Sequence, residues 1–285
     1  LNFGNHELRK GKCSMAFDLS SISNETRLRA PRILLLGVEK IGKSTFAADA
    51  SSPIFIPING EEGVDDIKLP KFVSGETVPQ FPVCSHLNEV FECLNTLWNT
   101  EHEYQTVVID SASSLEPIIW QKCCEDNNVK SISDVQGGYN KGREIVAVEN
   151  WRLMTQYLDA LRTTKNMSSI IIGHVKVKRF DDPTAGSFDT YEFAVDKFAA
   201  ALFYQWADAI LFVNTKTVVT KEDIGFNKEA KRGIDISMEQ RYLYTQKRPA
   251  HPGGGRGSFG QLPYEIPIPK DAPMSLWIDA IAAIS

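Results

Sequence analysis

The sequence lacks the features of membrane-spanning, secreted and zinc-binding proteins. No apolar run approaches the ~20 residues that a membrane-spanning helix needs, and the N-terminus has no signal-peptide core. The five cysteines are odd in number and include no C-x-x-C pair, so neither a disulfide framework nor a zinc site is indicated. We therefore expect a protein of a reducing, cytoplasmic compartment.

An excess of positive charge is also missing. The formal net charge of −5 excludes a histone-like basic protein, so any contact with nucleic acid must come from local patches. With 285 residues, the chain is long for one domain and short for two, which favours one domain with a small appendage. Met15, followed by Ala-Phe-Asp, is typical of a natural start, and we expect residues 1–14 to be a leader or vector-derived extension.

Short apolar runs alternate with helical patterns along the chain. This alternation predicts an α/β fold with a mostly parallel central sheet flanked by helices. Most runs are continuously apolar, as expected of strands that are buried on both faces. The predicted core strands are 32–36, 54–58, 104–109, 168–173 and 209–213, and a long helix is predicted over 143–164. Segments 129–142, 176–196 and 247–263 break the pattern and are interpreted as loops.

A phosphate-binding motif directly follows the first apolar run. Residues 37–44 fit G-x-x-x-x-G-K-S/T, in which backbone N–H groups and a helix N-terminus surround the phosphates of a nucleotide. Lys43 is expected to reach the β- and γ-phosphates, and the Ser44 hydroxyl is expected to bind Mg²⁺. The predicted nucleotide-binding residues are Gly37, Val38, Glu39, Lys40, Ile41, Gly42, Lys43, Ser44 and Thr45.

Carboxylates at the ends of two further apolar runs are candidates for the chemistry. Asp110 ends the run Val107–Ile109 and is a candidate second ligand for the magnesium ion or its water shell. Glu61 follows the second predicted strand, where a carboxylate could orient and deprotonate an attacking water, and Glu62 is the fallback. A solvated acidic turn is the alternative interpretation of this pair.

A histidine follows the fourth predicted strand. A polar side chain at the end of a central strand would lie near the γ-phosphate and could sense its presence, and His174 has that position. A structural hydrogen-bonding role is an equally good interpretation of a lone histidine.

The order of these motifs resembles the RecA-type P-loop ATPase core. In particular, it is similar to the bacteriophage ATP-binding proteins of the Sak single-strand-annealing group, over roughly residues 30–250. The resemblance implies an ATPase domain over 15–250 with a β-rich C-terminal part, followed by a glycine-rich linker and a C-terminal helix over 251–285. It also implies ATP and Mg²⁺ as cofactors, Glu61 as the catalytic base and the host bacterial cytoplasm as the location.

Three further sets of residues take their roles from the same resemblance. The loops around 134–142 and 177–195 correspond to the two DNA-binding loops of the recombinase core. Lys247 or Arg248 is the candidate for reaching the nucleotide of a neighbouring subunit. The predicted DNA contacts, which combine an aromatic ring with cations, are Tyr139, Lys141, Arg143, Lys176, Lys178 and Arg179.

The function predicted from the sequence is an ATP-dependent recombination protein that binds single-stranded DNA. It would assemble as a ring or filament with ATP between subunits, and a single-strand-binding protein is a further candidate partner. Two alternatives remain open at this stage. A P-loop nucleotide or small-molecule kinase would need an acceptor pocket and an arginine-rich lid, whereas 181–196 is acidic. A nucleotide-gated loading module would bind ATP without appreciable hydrolysis.

Overall fold

The computed structural model describes residues 29–61, 63–69, 77–182, 186–223, 229–235 and 240–269. The predicted leader, the fallback base Glu62 and the predicted C-terminal helix lie outside these ranges. The strands are β1 (Arg32–Gly37), β2 (Pro53–Pro57), β3 (Thr106–Asp110), β4 (Ser168–Asp182), β5 (Gly186–Phe193), β6 (Ala209–Thr215), β7 (Thr217–Asp223), β8 (Glu229–Asp235), β9 (Arg241–Tyr244), β10 (Gly254–Gly255) and β11 (Glu265–Ile268).

Five strands form the parallel centre of the sheet, and they confirm the five core strands predicted from apolar runs. Their order across the sheet is β2-β3-β4-β1-β6, so the P-loop strand β1 lies between β4 and β6. Because all five run in the same direction, their carboxyl ends meet at one edge. Side chains that follow these strands, including those after β1, β2, β3 and β4, are therefore brought to the same place.

Helices cover both faces of this sheet, as predicted. They are α1 (Lys43–Ala48), α2 (Leu87–Asn99), α3 (Ala112–Asp126), α4 (Val148–Lys165) and α5 (Lys197–Trp206). Successive residues of β1 point to opposite faces. Leu34 and Leu36 pack with α2, α3, α4 and α5, whereas Ile33 and Leu35 pack with α1 and its neighbours. A π-helical turn over Gly142–Ala147 precedes α4, so the single helix predicted over 143–164 begins with an irregular turn. No helix of the described residues is long and apolar enough to cross a membrane.

Antiparallel strands extend the sheet beyond β6 and form the β-rich C-terminal part. β9 pairs with β6, and β11 pairs with β9. The prediction of a loop over 247–263 is wrong for Gly254 and Gly255, because they form β10 and pair with β6. Gly255 is required by packing against the turn that follows, because a Cβ atom there would lie 2.5 Å from the backbone of Phe259. A Cβ atom on Gly254 would meet nothing within 4 Å, so close packing accounts for only some of these glycines.

The predicted loop over 177–195 is instead mostly a β-hairpin, which corrects the sequence interpretation. The pairing of β4 with β1 ends at His174, and β4 then continues to Asp182 while pairing antiparallel with β5. Branched and aromatic side chains favour the strands in spite of the charges between them. Phe180 and Phe188, for example, face each other across the hairpin with ring centroids 5.4 Å apart. A 3₁₀ turn begins at Ile132, but Val135 and Gln136 leave helical backbone angles, so most of segment 134–142 is irregular up to the π-helical turn at Gly142.

The base of the hairpin packs tightly on the sheet. Phe193, the last residue of β5, lies over Gly173, and a Cβ atom on Gly173 would be 2.3 Å from the Phe193 ring. Leu36 of β1 encloses the same position from the other side, at 2.8 Å from that Cβ. A residue with a side chain has no room here, so the glycine before His174 is required by packing.

Candidate active site

The P-loop connects β1 to α1 with a backbone that glycine alone adopts easily. The chain leaves β1 at Gly37 and enters α1 at Lys43. Gly42 has a φ of 93°, in the left-handed region, which is costly for residues that carry a Cβ atom. A Cβ atom on Gly37 would lie 2.7 Å from the carbonyl oxygen of Val213. Backbone conformation at Gly42 and close packing at Gly37 therefore each favour glycine over any residue with a side chain.

Lys43 is held inside the loop. Its side chain is buried, and its Nζ donates hydrogen bonds to the carbonyl oxygens of Val38 at 2.7 Å and Gly37 at 3.2 Å. Burial lowers the pKa of Lys43, and the charges of Asp110 and Glu61 act in the opposite direction. A cation enclosed by a phosphate-binding loop is suited to a polyanionic ligand.

Ser44 and Asp110 meet at the adjoining strand end. The Ser44 hydroxyl donates to Oδ2 of Asp110 at 2.6 Å, and Asp110 is buried. Burial raises the pKa of Asp110 to about 6, while the hydrogen bond from Ser44 lowers it. A buried carboxylate whose charged form is disfavoured in this way would be stabilised by a nearby cation.

This pair of oxygen ligands fits Mg²⁺. In the described part of the chain, no group of three or more His, Cys, Asp or Glu side chains could hold a metal ion. Mg²⁺ usually binds through one or two protein oxygens together with substrate phosphates and waters, so a small protein contribution is expected. Ser44 and Asp110 would hold the ion, which would supply charge neutralisation on the phosphates.

Glu61 accepts three hydrogen bonds from side chains at the start of α3 and on β4. The hydroxyls of Ser111 and Ser114 and Nε2 of His174 each lie 2.8 Å from its Oε1. Burial alone would raise the pKa of Glu61, but the hydrogen bonds from these three residues outweigh it and lower the pKa to about 2. Glu61 is therefore an ionised, oriented carboxylate at neutral pH, which suits a residue that positions an attacking water by accepting a hydrogen bond from it.

His174 connects Glu61 to the P-loop lysine. Its Nε2 contacts Glu61, and its Nδ1 lies 3.4 Å from Nζ of Lys43. The tautomer with a proton on Nε2 satisfies both contacts, since Nδ1 then accepts from Lys43. The backbone N–H of His174 donates to the Ser113 hydroxyl at 3.0 Å. This hydrogen bond holds the part of β4 that carries His174 against α3.

The structure thus brings Lys43, Ser44, Glu61, Asp110 and His174 together at one edge of the sheet. Sequence reasoning missed the serines that hold Glu61 and His174 in place, which are Ser111, Ser113 and Ser114. A signal was present, because Ser111 begins α3 as its N-cap and Ser113 and Ser114 follow in the first turn. The local sequence pattern could not show that this turn faces Glu61.

The predicted DNA contacts lie in two separate segments, apart from this cluster. Tyr139 is exposed, as is Lys141, but the Arg143 guanidinium is partly buried, 4.9 Å from the centre of the Trp120 ring. On the hairpin the three cations already have local partners. Lys176 donates to the Val195 carbonyl at 3.3 Å, Lys178 pairs with Glu192 at 3.2 Å and Arg179 pairs with Asp181 at 3.6 Å.

Lys247 and Arg248 line a cavity whose lining includes no P-loop residue. This cavity of about 440 Å³ is also lined by Phe180, Phe188 and Tyr204. The Arg248 guanidinium stacks over the Tyr264 ring at 4.2 Å. The hairpin is fixed beside this segment, because the N–H of Tyr191 donates to the Ala250 carbonyl at 2.8 Å.

Glu116 is a buried carboxyl between the two predicted DNA segments. Its Oε1 accepts the N–H of Asp196, the N-cap of α5, at 2.7 Å. Burial raises the pKa of Glu116 to about 7. The hydrogen bond from the Asp196 N–H lowers this pKa, the charge of the Asp196 carboxylate raises it, and the charges of Lys176 and Arg143 lower it.

The raised pKa of Glu116 predicts a pH-dependent stability. Because the pKa in the folded state exceeds the ordinary value of 4.5, the stabilising contribution of the protonated form is complete below pH 4.5 and is lost as the pH rises through about 7. Glu116→Gln retains an acceptor but never ionises. We expect it to match the wild type at pH 4.5 and to be more stable by about 1–3 kcal/mol at pH 8, measured by urea denaturation. An equal difference at both pH values would contradict the assignment.

A comparison with known protein families assigns the chain to one of them. A family model described as an AAA domain matches residues 29–257, which include the P-loop, Glu61, Asp110, His174 and the late strands up to β10. A comparison with curated proteins found no match to the chain. Since the family match covers well over half of the 285 residues, it defines the class of protein. The chain therefore belongs to the AAA domain family of P-loop ATPases.

Proposed function

We propose that this protein is an ATPase that couples hydrolysis to binding of single-stranded DNA, and that it serves annealing or recombination as a member of the bacteriophage Sak group. The observation that carries the proposal is the continuity of β4. One strand holds His174 at the hydrolytic site and then enters the hairpin that bears Lys176, Lys178 and Arg179. A change at the nucleotide therefore has a short covalent path to a basic, exposed element.

The hydrolytic part of the proposal uses the residues at the sheet edge. Lys43 and the backbone of the P-loop bind the phosphates, and Ser44 and Asp110 hold Mg²⁺. Glu61 orients a water for attack on the γ-phosphate and takes its proton, while His174 keeps the carboxylate in place. Phosphoryl transfer depends mostly on positioning and charge stabilisation, which are the contributions that this arrangement can make.

The DNA part of the proposal rests on the two exposed segments. Backbone phosphates supply most of the affinity of nonspecific binding, and exposed aromatic rings can add stacking energy of about 1–3 kcal/mol per base. Lys178, Arg179 and Lys141 are exposed cations, and Tyr139 is 93 % exposed. The local acidic partners of Lys178 and Arg179 would be exchanged for phosphates on binding.

Assembly into a ring or filament is the third part. Lys247 and Arg248 line a cavity without P-loop residues, so a role at a nucleotide requires a second subunit. A cation supplied in trans can contribute about 10³–10⁵ in rate, and an isolated monomer would then be a poor ATPase. A single-strand-binding protein is a further candidate partner of such an assembly.

The DNA proposal predicts the effect of removing charge from the hairpin. The double variant Lys178→Ala/Arg179→Ala should bind a labelled oligothymidine more weakly in ATP and Mg²⁺, and the salt dependence should become less steep. Loss of two phosphate contacts should reduce the slope of log K against log salt by about 1.4. Fluorescence anisotropy at several salt concentrations measures both quantities.

The matched control is Lys122→Ala/Lys216→Ala, which removes the same charge from two cations that pair with Asp126 and Glu265 away from the hairpin. The control should retain the wild-type slope. Equal slopes for the two double variants, or binding of duplex as tight as binding of single strands by the wild type, would refute the DNA part and leave the ATPase part intact.

A further inference from the structure

Arg241 lies against the P-loop, although it is 200 positions away from the residue that it contacts. It begins β9 and faces Thr215 at the end of β6, which is the strand next to β1. Its Nη1 donates to the carbonyl oxygen of Ile41 at 3.2 Å. A Cβ atom on Gly42 would lie 1.9 Å from the same Nη1, so the guanidinium sits directly on the loop's second glycine.

The charge of Arg241 has no acidic partner among the described side chains. Two other partly buried arginines, Arg32 and Arg162, do have one, because both pair with Asp208, at 2.9 and 3.0 Å. Burial is the only influence on the pKa of Arg241, and it lowers it. Desolvating a guanidinium without a counter-charge costs free energy, which an anionic ligand would recover.

The position of Arg241 makes a bound polyphosphate the natural counter-charge. A guanidinium has five N–H donors, and the described residues accept from one of them. We propose that Arg241 binds the phosphates of the nucleotide held by its own P-loop, as a second cation beside Lys43. The inference rests on the hydrolytic site proposed above and adds a residue that the sequence analysis did not assign.

Arg241 differs from Lys247 and Arg248 in the subunit that it serves. Those two residues need a neighbour to reach a nucleotide, whereas Arg241 touches the P-loop of its own chain. Its contribution to nucleotide affinity should therefore persist in protein diluted to the monomer. A purely structural role of Arg241 would need only a hydrogen-bond donor for the Ile41 carbonyl and no charge. Phosphate binding needs the charge as well, so removing the charge alone distinguishes the two roles.

The experiment measures affinity for two probes, ATP and inorganic tripolyphosphate, each with Mg²⁺, by displacement of a fluorescent ATP analogue. Because charge-assisted hydrogen bonds contribute substantially to binding, Arg241→Ala should lower the affinity for both probes by about tenfold or more. Arg241→Lys, which keeps the charge, should retain most of the affinity. Arg241→Gln, which keeps a donor alone, should resemble Arg241→Ala. Lys216→Ala is the control, because its ammonium pairs with Glu265 on the neighbouring surface.

Three results would overturn the inference. Wild-type affinity in Arg241→Ala would exclude a contact between Arg241 and the ligand. Rescue of affinity by Arg241→Gln would show that Arg241 has only a structural role. Weaker binding of ATP with unchanged binding of tripolyphosphate would place the contact at the base or ribose. Circular-dichroism melting of every variant identifies loss of folding, and the Lys and Gln variants decide the question if Arg241→Ala does not fold. Lys43→Ala, measured in parallel, separates the two proposals. If Lys43→Ala weakens ATP binding and the Arg241 variants do not, only the Arg241 inference fails. If Lys43→Ala has no effect on ATP binding, the proposed hydrolytic site itself is wrong.

Discussion

Lys43→Ala is expected to abolish ATP turnover and to weaken ATP binding. The Nζ atom of Lys43 lies between two P-loop carbonyls and 3.4 Å from His174, so its loss removes the central positive charge of the site and one support of the histidine. Removing one donor aimed at developing charge typically costs about 10²–10³ in rate, and the loss of a full charge should reach at least that range. Release of phosphate, measured without any added acceptor, checks the prediction.

The same assay separates an ATPase from a kinase. ADP and phosphate should both appear without an acceptor in the wild type, whereas a kinase would need one. Lys122→Ala is the control, since its side chain pairs with Asp126 on the surface of α3. Turnover that survives in Lys43→Ala at the level of this control would refute the assigned site.

Glu61→Gln is expected to separate hydrolysis from binding. The amide keeps an acceptor for Ser111, Ser114 and His174 but cannot take a proton from water. General-base catalysis contributes about 10²–10⁴ in rate, so turnover should fall by that factor while ATP affinity stays within a few-fold of the wild type. Single-turnover hydrolysis and equilibrium binding of ATP, measured on the same preparation, test both halves.

The matched control for Glu61→Gln is Glu125→Gln, because Glu125 lies on the exposed side of α3 and contacts Gln121. A loss of ATP binding as large as the loss of turnover would assign Glu61 to ligand binding. The pH profile of the wild type adds a second criterion. Because Asp110 has a pKa of about 6 and would hold Mg²⁺, protons should compete with the ion, and the Mg²⁺ concentration needed for half-maximal activity should rise as the pH falls through 6.

Much of the fold and the core of the site could be predicted because the signals are local. Continuous apolar runs identify buried parallel strands, and the residue that follows each run marks the edge where ligands bind. Glu61, Asp110 and His174 were found in this way. The hairpin was missed because charges between Val175 and Phe193 obscured a strand pattern that cross-strand aromatic contacts stabilise.

The remaining residues could not be predicted because their roles arise from strand order. Ser111 reaches Glu61 only because β3 lies beside β2, and His174 reaches Lys43 only because β4 lies beside β1. Arg241 reaches Ile41 because an antiparallel strand returns past β6 to the P-loop edge. No local pattern in the sequence encodes which strands become neighbours.

The tight packing at Gly173 has a mechanical consequence. Phe193 and Leu36 enclose this glycine from two sides, and the hairpin extends from it as a stiff arm of about eight residues, or roughly 26 Å. The arm does not swing freely, because the N–H of Tyr191 also holds it to the Ala250 carbonyl. A displacement of His174 at a phosphate would therefore move the hairpin and the segment that carries Lys247 and Arg248 as one body.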